Sequence, residues 1–507
     1  ALAGYGSFDT YQAGAFLNHK PSRWDYLVSV DYLDSENDFE FDNDKGTPYN
    51  PADDETENRH NAQFDQMNIL TKVGYELSNT SRIDVFNQYF DKDQGIPDWR
   101  NNKSTDTSLE TERNITALKI TLDDLGKWEI NSATTLSYSW KEEEYDDSLG
   151  QIGLGRQHTI DTTRRLGGKF YADTMLGFNL LAVQLEFNHE TYEPDDLITS
   201  RSPRDSSRDT FSASIQDTLL LLNERLLITP VLRYSLTRDE LESSVSAYGV
   251  TLKSRDRDNS NISPQIGLKY APFYWLTLKS NFGIYLREPS FFELFGDRGL
   301  FLGNTDLKEE TGKNFDIGFE MKKHFDFNGL NSASFKAVYF SSDVDDLITR
   351  TFDARGVGKS VNIDETQVRG LETGINIEFL DHFRFIASAT WQDSENLSEV
   401  SSFKHKDLPG RWEKSFLGRL EWQIGDFTAH VEYQADKNMY YDSANLLDAK
   451  DKEDISAGLK WVHNSVAVTM EGRNLQDNQY EDFNGFPMPG RSFYVTIKYF
   501  PFDDEKK

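Results

Sequence analysis

Apolar and polar residues alternate along this chain in short stretches from one end to the other. Period-two alternation predicts β-strands with one apolar and one polar face. In residues 26–32, Tyr26, Val28, Val30 and Tyr32 share a face opposite Ser29 and Asp31. The same reading holds for residues 276–284, 315–321, 370–379 and 428–434. These segments run to about 9–12 residues, which suits a tilted strand crossing a bilayer better than the roughly 5–6 residues of a soluble strand. Their polar faces carry Glu, Lys and Gln in mid-strand, as a wet or polar-packed barrel lumen requires. The predicted outward set is Val28, Val30, Leu278, Ile317, Ile375 and Val431. The predicted lumenal set is Ser29, Lys279, Asp316, Glu372 and Glu432.

The linkers alternate as well. Tight turns such as ELSNTS, DDLGKW, QIGDF and VHNS are separated by long polar segments centred near 34–62, 91–112, 141–163, 286–312 and 473–490. Counting them predicts a transmembrane antiparallel β-barrel of about 22 strands, with short periplasmic turns and long extracellular loops. No linker or composition break divides it. Residues 1–502 are therefore expected to form one barrel domain, with 503–507 as a charged tail.

Composition narrows the picture. The mean hydropathy of −0.65 does not oppose a barrel, because only every second strand residue need face lipid. No apolar run reaches the roughly 18 residues of a spanning helix. The 507 residues include no cysteine, which removes disulfide frameworks and thiolate metal sites. A net charge of −31 argues against nucleic acid as a partner, since phosphates demand a basic footprint.

Three stretches go beyond periodicity. The first holds Arg287, Pro289, Ser290, Phe291, Glu293 and Leu294, then Gly303, Asn304, Leu307 and Glu310. The second is Arg369, Gly370, Leu371 and Glu372. The third holds Asn474, Leu475, Asp477 and Tyr480, then Pro489, Gly490 and Arg491. Together, in order and spacing, they resemble the β-barrel of TonB-dependent outer-membrane receptors. The resemblance implies a Gram-negative outer-membrane receptor that binds a scarce extracellular nutrient, such as a ferric siderophore or cobalamin. It also implies a plug domain that gates the lumen and couples to TonB. The chain opens inside what reads as the first strand, ALAGYGSFD, so the plug is expected to lie outside it. A passive porin-like channel is the alternative reading.

Candidate chemistry is sparse. Asp34, Glu36, Asp38, Glu40, Asp42 and Asp44 would share one face of an extended segment, which makes Asp38, Asp42 and Asp44 candidate Ca²⁺ ligands. The competing reading is a solvated loop face, and no EF-hand spacing favours the ion. No other cofactor is expected. The histidines are dispersed, and none stands in the 286–312 loop, where haem receptors of the family carry one; haem and zinc uptake lose weight. No nucleophile motif such as Gly-x-Ser-x-Gly appears, so no enzyme is expected. Trp99, Tyr192, Phe291, Phe292, Trp391, Tyr440 and Tyr441 are candidate ligand contacts at the mouth, with the lipid–water interface as their other destination.

Overall fold

A computed structural model gives the chain as a closed barrel of 22 antiparallel strands. It describes residues 1–500 apart from 48–49, 102–103, 154, 199–204, 246–250, 297–298, 300, 328 and 353–356. The 503–507 tail lies outside the described residues. The first strand, Leu2–Gly6, pairs with Thr10–His19 on one side and with the last strand, Ser492–Tyr499, on the other. Every other barrel strand pairs with its sequence neighbours, so closure leaves the wall no free edge. This is what a bilayer demands, because hydrocarbon offers no partner to an unpaired backbone group.

Register fixes the two faces. Directly opposed residues of an antiparallel pair project to the same side of the sheet. Val28 opposes Leu17 and Thr71, Ile375 opposes Phe335 and Ala387, and Val431 opposes Leu420 and Ala457. Ile317 and Val431 are more than half exposed, as apolar side chains are when lipid is their intended cover. On the other face Asp316 opposes Asn281, Glu372 opposes Thr390 and Glu432 opposes Arg419. The predicted outward and lumenal sets therefore fall on opposite walls. Aromatic residues mark the periplasmic edge of the outer wall. Trp24 packs at 4.5 Å on Tyr75, Phe273 stacks on Trp275, and Phe383 lies between Phe379 and Trp422. Rings of this kind anchor a barrel at the lipid–water boundary.

The strands are longer than the sequence reading gave. Leu330–Phe352 has 23 residues and Gln157–Leu176 has 20. Their extracellular ends continue the ladder in mixed sequence, with Asp345, Asp346, Leu347 and Ile348 in one and Thr159, Ile160 and Asp161 in the other, where regular apolar alternation is lost. Residues 142–147, read as loop, are the paired end of the strand Ile130–Asp147. The segment near 141–163 thereby shrinks to the loop 148–156.

Candidate functional site

The extracellular mouth has two differently built sides. One is the loop 288–309, which joins the strands Leu276–Arg287 and Glu310–Phe327. It carries a short helix, Phe291–Phe295, started by a capping box. The Glu293 backbone N–H donates to Ser290 Oγ, and the Ser290 N–H donates to Glu293 Oε2 at 2.7 Å. Arg287 fixes the helix to the wall. Its guanidinium donates to Glu293 at 3.1 Å and to Glu310 at 3.3 Å. The Tyr285 hydroxyl donates to Glu310 at 2.9 Å, and the Ile348 N–H donates to it at 3.1 Å.

The helix is folded inward. Tyr192, Arg208, Asp239, Arg287 and Glu310 all lie on lumenal positions of their strands, by register. Phe291 and Phe295 stack on Tyr192 at 5.5 and 5.1 Å. Leu241, Leu252, Leu294, Leu307 and Ile348 complete a buried apolar cluster. Arg208 sits 5.3 Å above the Phe291 ring, donates to both Asp239 oxygens at 2.6 and 2.7 Å, and donates to the Pro289 carbonyl at 2.9 Å. Gly303 passes so close to the helix that a Cβ there would lie 2.3 Å from the Phe295 backbone. Burial raises the Glu288 carboxyl above its ordinary value, and the Asn259 amide and Arg208 only partly offset it.

The other side joins three loops. Trp99 is wedged between Gly46 and Gly485, where added Cβ atoms would meet its ring at 3.0 and 2.1 Å. The Arg100 N–H donates to the Gly485 carbonyl at 2.9 Å, and its guanidinium pairs with Asp44. Arg59 lies over both Phe41 and Phe486. Burial lowers the Arg59 guanidinium to about 10. Glu57 is pushed up by burial, but hydrogen bonds from Lys45, Asn43 and Asn101 outweigh this and hold it at about 2.

The motif residues have structural places. Asn474 closes a turn through Asn478, whose N–H and carbonyl both bond its side chain at 2.9 Å. Asp477 accepts from the Arg491 N–H at 2.7 Å, and Arg491 Nε donates to the Leu475 carbonyl at 3.0 Å. A Cβ on Gly490 would lie 2.5 Å from Asp477. Tyr480 lies under Lys452, and the Pro489 carbonyl accepts from the Asn474 side chain at 3.4 Å. Arg369 sits 3.7 Å from Asp393, Gly370 is crowded by the Phe340 ring, and Glu372 faces the lumen.

The candidate contacts do not form one site. Tyr192 and Phe291 are buried in the loop core. Phe292 lies under Arg350 with Phe301 nearby. Trp99 ties loops together. Trp391 opposes the outward Leu371, which puts it on the outer wall. Tyr440 bridges to Asp448, and the Tyr441 hydroxyl donates to the Glu481 carbonyl at 3.1 Å.

The acidic run is also divided. Ser35 ends a strand, and Glu40–Asn43 forms a small hairpin with Glu55–Asn58. Asp38 and Asp42 line a cavity of about 880 Å³, whereas Asp44 is held by Arg100. The structure instead brings ligand atoms of Asp91, Glu110 and Glu112 within 4.8 Å of one another. Sequence reading missed this trio; the signal was D-K-D against E-T-E on facing strand ends, visible only with the register Asp91↔Glu112.

Closed strand number, lumenal polarity and an inward-folded mouth loop define the class as a large outer-membrane-type barrel. A family profile described as "TonB dependent receptor-like, beta-barrel" matches residues 31–475, and the chain belongs to that family. Its members are transport receptors, neither enzymes nor passive porins. The chain is 23% identical over 241 residues to a vitamin B12 transporter, BtuB, of Vibrio cholerae, covering 46% of this chain and 36% of that protein. It is 22% identical over 488 residues to a hemin receptor of Yersinia pestis, covering 87% of this chain and 67% of that one. Thus the match spans about a third of the first relative's length. Among solved structures the copper transporter OprC superposes with a TM-score of 0.81 at 14% identity, over 98% of this chain and 80% of that one, which shows the shared fold.

Proposed function

We propose that this chain is the barrel of a receptor that takes up a scarce nutrient across the outer membrane of a Gram-negative bacterium. An extracellular small molecule binds among the mouth loops, and a plug domain links the barrel to TonB. Membership of the receptor family carries this reading. The geometry supports it: described residues of the loop 288–309 pack on lumenal positions at one side of the mouth, and a barrel of this circumference needs an occupant to be selective. A ferric siderophore or cobalamin is the proposed cargo class.

The test is uptake in cells that express the whole receptor with and without TonB. Radiolabelled cyanocobalamin, haemin and ferric catecholates are the probes. TonB-dependent accumulation of one of them is expected. Accumulation of none, or equal accumulation without TonB, overturns the reading. A separate experiment addresses calcium: if the acidic 34–62 segment binds Ca²⁺, chelation should speed proteolysis there, and unchanged cleavage leaves the solvated-face reading.

A further inference from the structure

The barrel closes through short strands. Leu2–Gly6 has 5 residues and Ser492–Tyr499 has 8. A tilted strand needs about 9–11 residues to cross a bilayer. The segments directly above this seam therefore sit at the depth of the outer-leaflet headgroups. They are the turn 7–9, the hairpin of Glu40–Asn43 with Glu55–Asn58, and the loop 474–491, and between them lies a cavity of about 880 Å³.

Register shows that the cavity opens on the outer wall. Val431 opposes Ala457, Ala457 opposes Gly472, and Gly472 opposes Phe493, which carries the lipid-facing side of Val431 to the last strand. Val495 alternates back to that side, and Tyr5 opposes it. Tyr5 and Phe493 are more than half exposed. These three side chains form an apolar floor continuous with the lipid-facing band. Phe8 packs edge-on against Phe39 at 5.9 Å and extends the apolar surface up into the hairpin.

Above the floor the lining is acidic. Asp9, Asp38, Glu40, Asp42 and Asp477 face one guanidinium, that of Arg491. Arg491 is already engaged: its Nε donates to the Leu475 carbonyl at 3.0 Å, and it stands 4.0 Å from Asp477. Asp42 accepts from the Thr56 hydroxyl at 3.2 Å and Asp9 from the Tyr5 hydroxyl at 3.0 Å, bonds that orient these carboxylates without neutralising them. The cations of the 36–63 loop are committed elsewhere. Lys45 pairs with Glu55 and Glu57, and Arg59 is buried over the Phe41 and Phe486 rings.

A floor open to lipid beneath carboxylates in excess matches one kind of molecule. The floor holds the chain of an amphiphile already dissolved in the bilayer, and the carboxylates select the sign of its headgroup. A hydrated metal ion would leave the floor unused, and an apolar solute would leave the carboxylates unused. We propose that the seam cavity binds a membrane amphiphile with a cationic, amine-bearing headgroup. Its chain lies on Tyr5, Phe493 and Val495, and its head sits among Asp38, Glu40 and Asp42. The site is on the outer wall, away from the lumen, so it goes beyond the uptake reading and does not depend on the cargo.

The absence of cysteine makes the test direct. Gln479→Cys places one thiol in the lining, and Leu286→Cys places one on the outer wall elsewhere, on the side that Ser280 shares with Ile317. Each is labelled with bimane in the whole receptor, held in phosphatidylcholine nanodiscs. The probes are hexadecyldimethylammonium-TEMPO and an uncharged long-chain amide of TEMPO, at equal mole fraction in the bilayer. At Gln479→Cys the cationic probe should quench about threefold more than the uncharged one, whereas at Leu286→Cys the two should quench alike. Asp38→Asn, Glu40→Gln and Asp42→Asn together should abolish the preference at Gln479→Cys, with heat-modifiable gel mobility confirming a folded barrel. The comparison of the two labelled positions needs no change in the lining carboxylates, so it decides the matter even if the triple variant does not fold. The same preference at both positions, or one unchanged in a folded triple variant, overturns the site. Two further outcomes overturn it as well: equal quenching by soluble trimethylammonium-TEMPO, which would mark a counter-ion cloud, and loss of the preference with equimolar Ca²⁺, which would mark an ion site.

Discussion

The loop 288–309 and the three-loop junction around Trp99 sit on different sides of the same mouth and hold together by different physics. The first is a miniature hydrophobic core. Leu294 and Leu307 are essentially fully buried, and beside them lie the buried Asp239 carboxylate paired with Arg208 and the buried Glu310 carboxylate paired with a partly exposed Arg287. The second has a smaller apolar interior, chiefly the buried rings of Phe39 and Phe41. It depends on cations over rings, on carboxylates and on backbone threaded past one indole. A loop with its own core behaves as part of the wall. A junction of charges responds to salt, acid and ligand, as mobile binding loops must.

The largest expected effect lies in the first region. Arg287→Ala removes the shared cation of Glu293 and Glu310 and leaves the buried Glu310 carboxylate with only the Tyr285 hydroxyl and the Ile348 N–H as donors. Leaving a buried carboxylate without its cation costs about 3–5 kcal/mol. Proteolysis of the loop 288–309 should accelerate strongly, while Arg100→Ala, on the other side, should change cleavage of its loops much less. Equal sensitivity of the two loops would dissolve the contrast. Next comes Leu294→Ala, expected to cost about 2–5 kcal/mol as a buried truncation that leaves a cavity. Urea titration of loop cleavage measures it.

The barrel wall supplies a reference for both loops. Lysine at Ile375, on the outer face near mid-membrane, should cost about 2–4 kcal/mol, and lysine at Asn376 far less. Folding into lipid vesicles at graded urea checks this. Equal tolerance at the two positions would invalidate the face assignment from which the inward placement of the loop 288–309 is argued.

Much of the barrel was legible in the sequence because alternation and turn chemistry are local. Val28, Ile317 and Ile375 declared their face through their own neighbours. The strand ends were not legible, because residues 142–147 show no apolar alternation: five of the six are acidic, and Tyr145, the sixth, is buried together with Asp147. The mouth was legible only as motifs. Arg287, Glu293 and Glu310 stand close in sequence, and the capping pattern Ser290-x-x-Glu293 is local. Their partners Tyr192, Arg208, Asp239 and Ile348 come from strands far along the chain, so only closure and register bring them together. Tyr192 and Phe291 read as two of seven candidate ligand contacts, and the structure has them stacking on one another. Trp99 likewise reads as a binding aromatic until Gly46 and Gly485 are seen on either side of it.

The smallest expected effect is the sharpest separator, because the two regions should answer acid with opposite signs. Glu57 has its folded-state value held at about 2, below its ordinary 4.5, by Lys45 and two amides acting against burial. Its stabilisation of the 36–63 loop is complete above 4.5 and is lost as pH falls from there toward 2. Glu288 has its folded-state value raised above 4.5 by burial. It opposes docking of the loop 288–309 when ionised, and that opposition fades as pH falls through its raised value toward 4.5. Mild acidification should therefore first tighten the loop 288–309 while the 36–63 loop is unchanged, and stronger acid should then loosen the 36–63 loop. Hydrogen exchange of the two loops, followed from neutral pH to below 4, separates the phases once intrinsic exchange is corrected for pH. Glu288→Gln should remove the first phase and Glu57→Gln the second. If both loops loosen together over one pH range, the difference between a cored loop and a charged junction has no energetic content at the mouth.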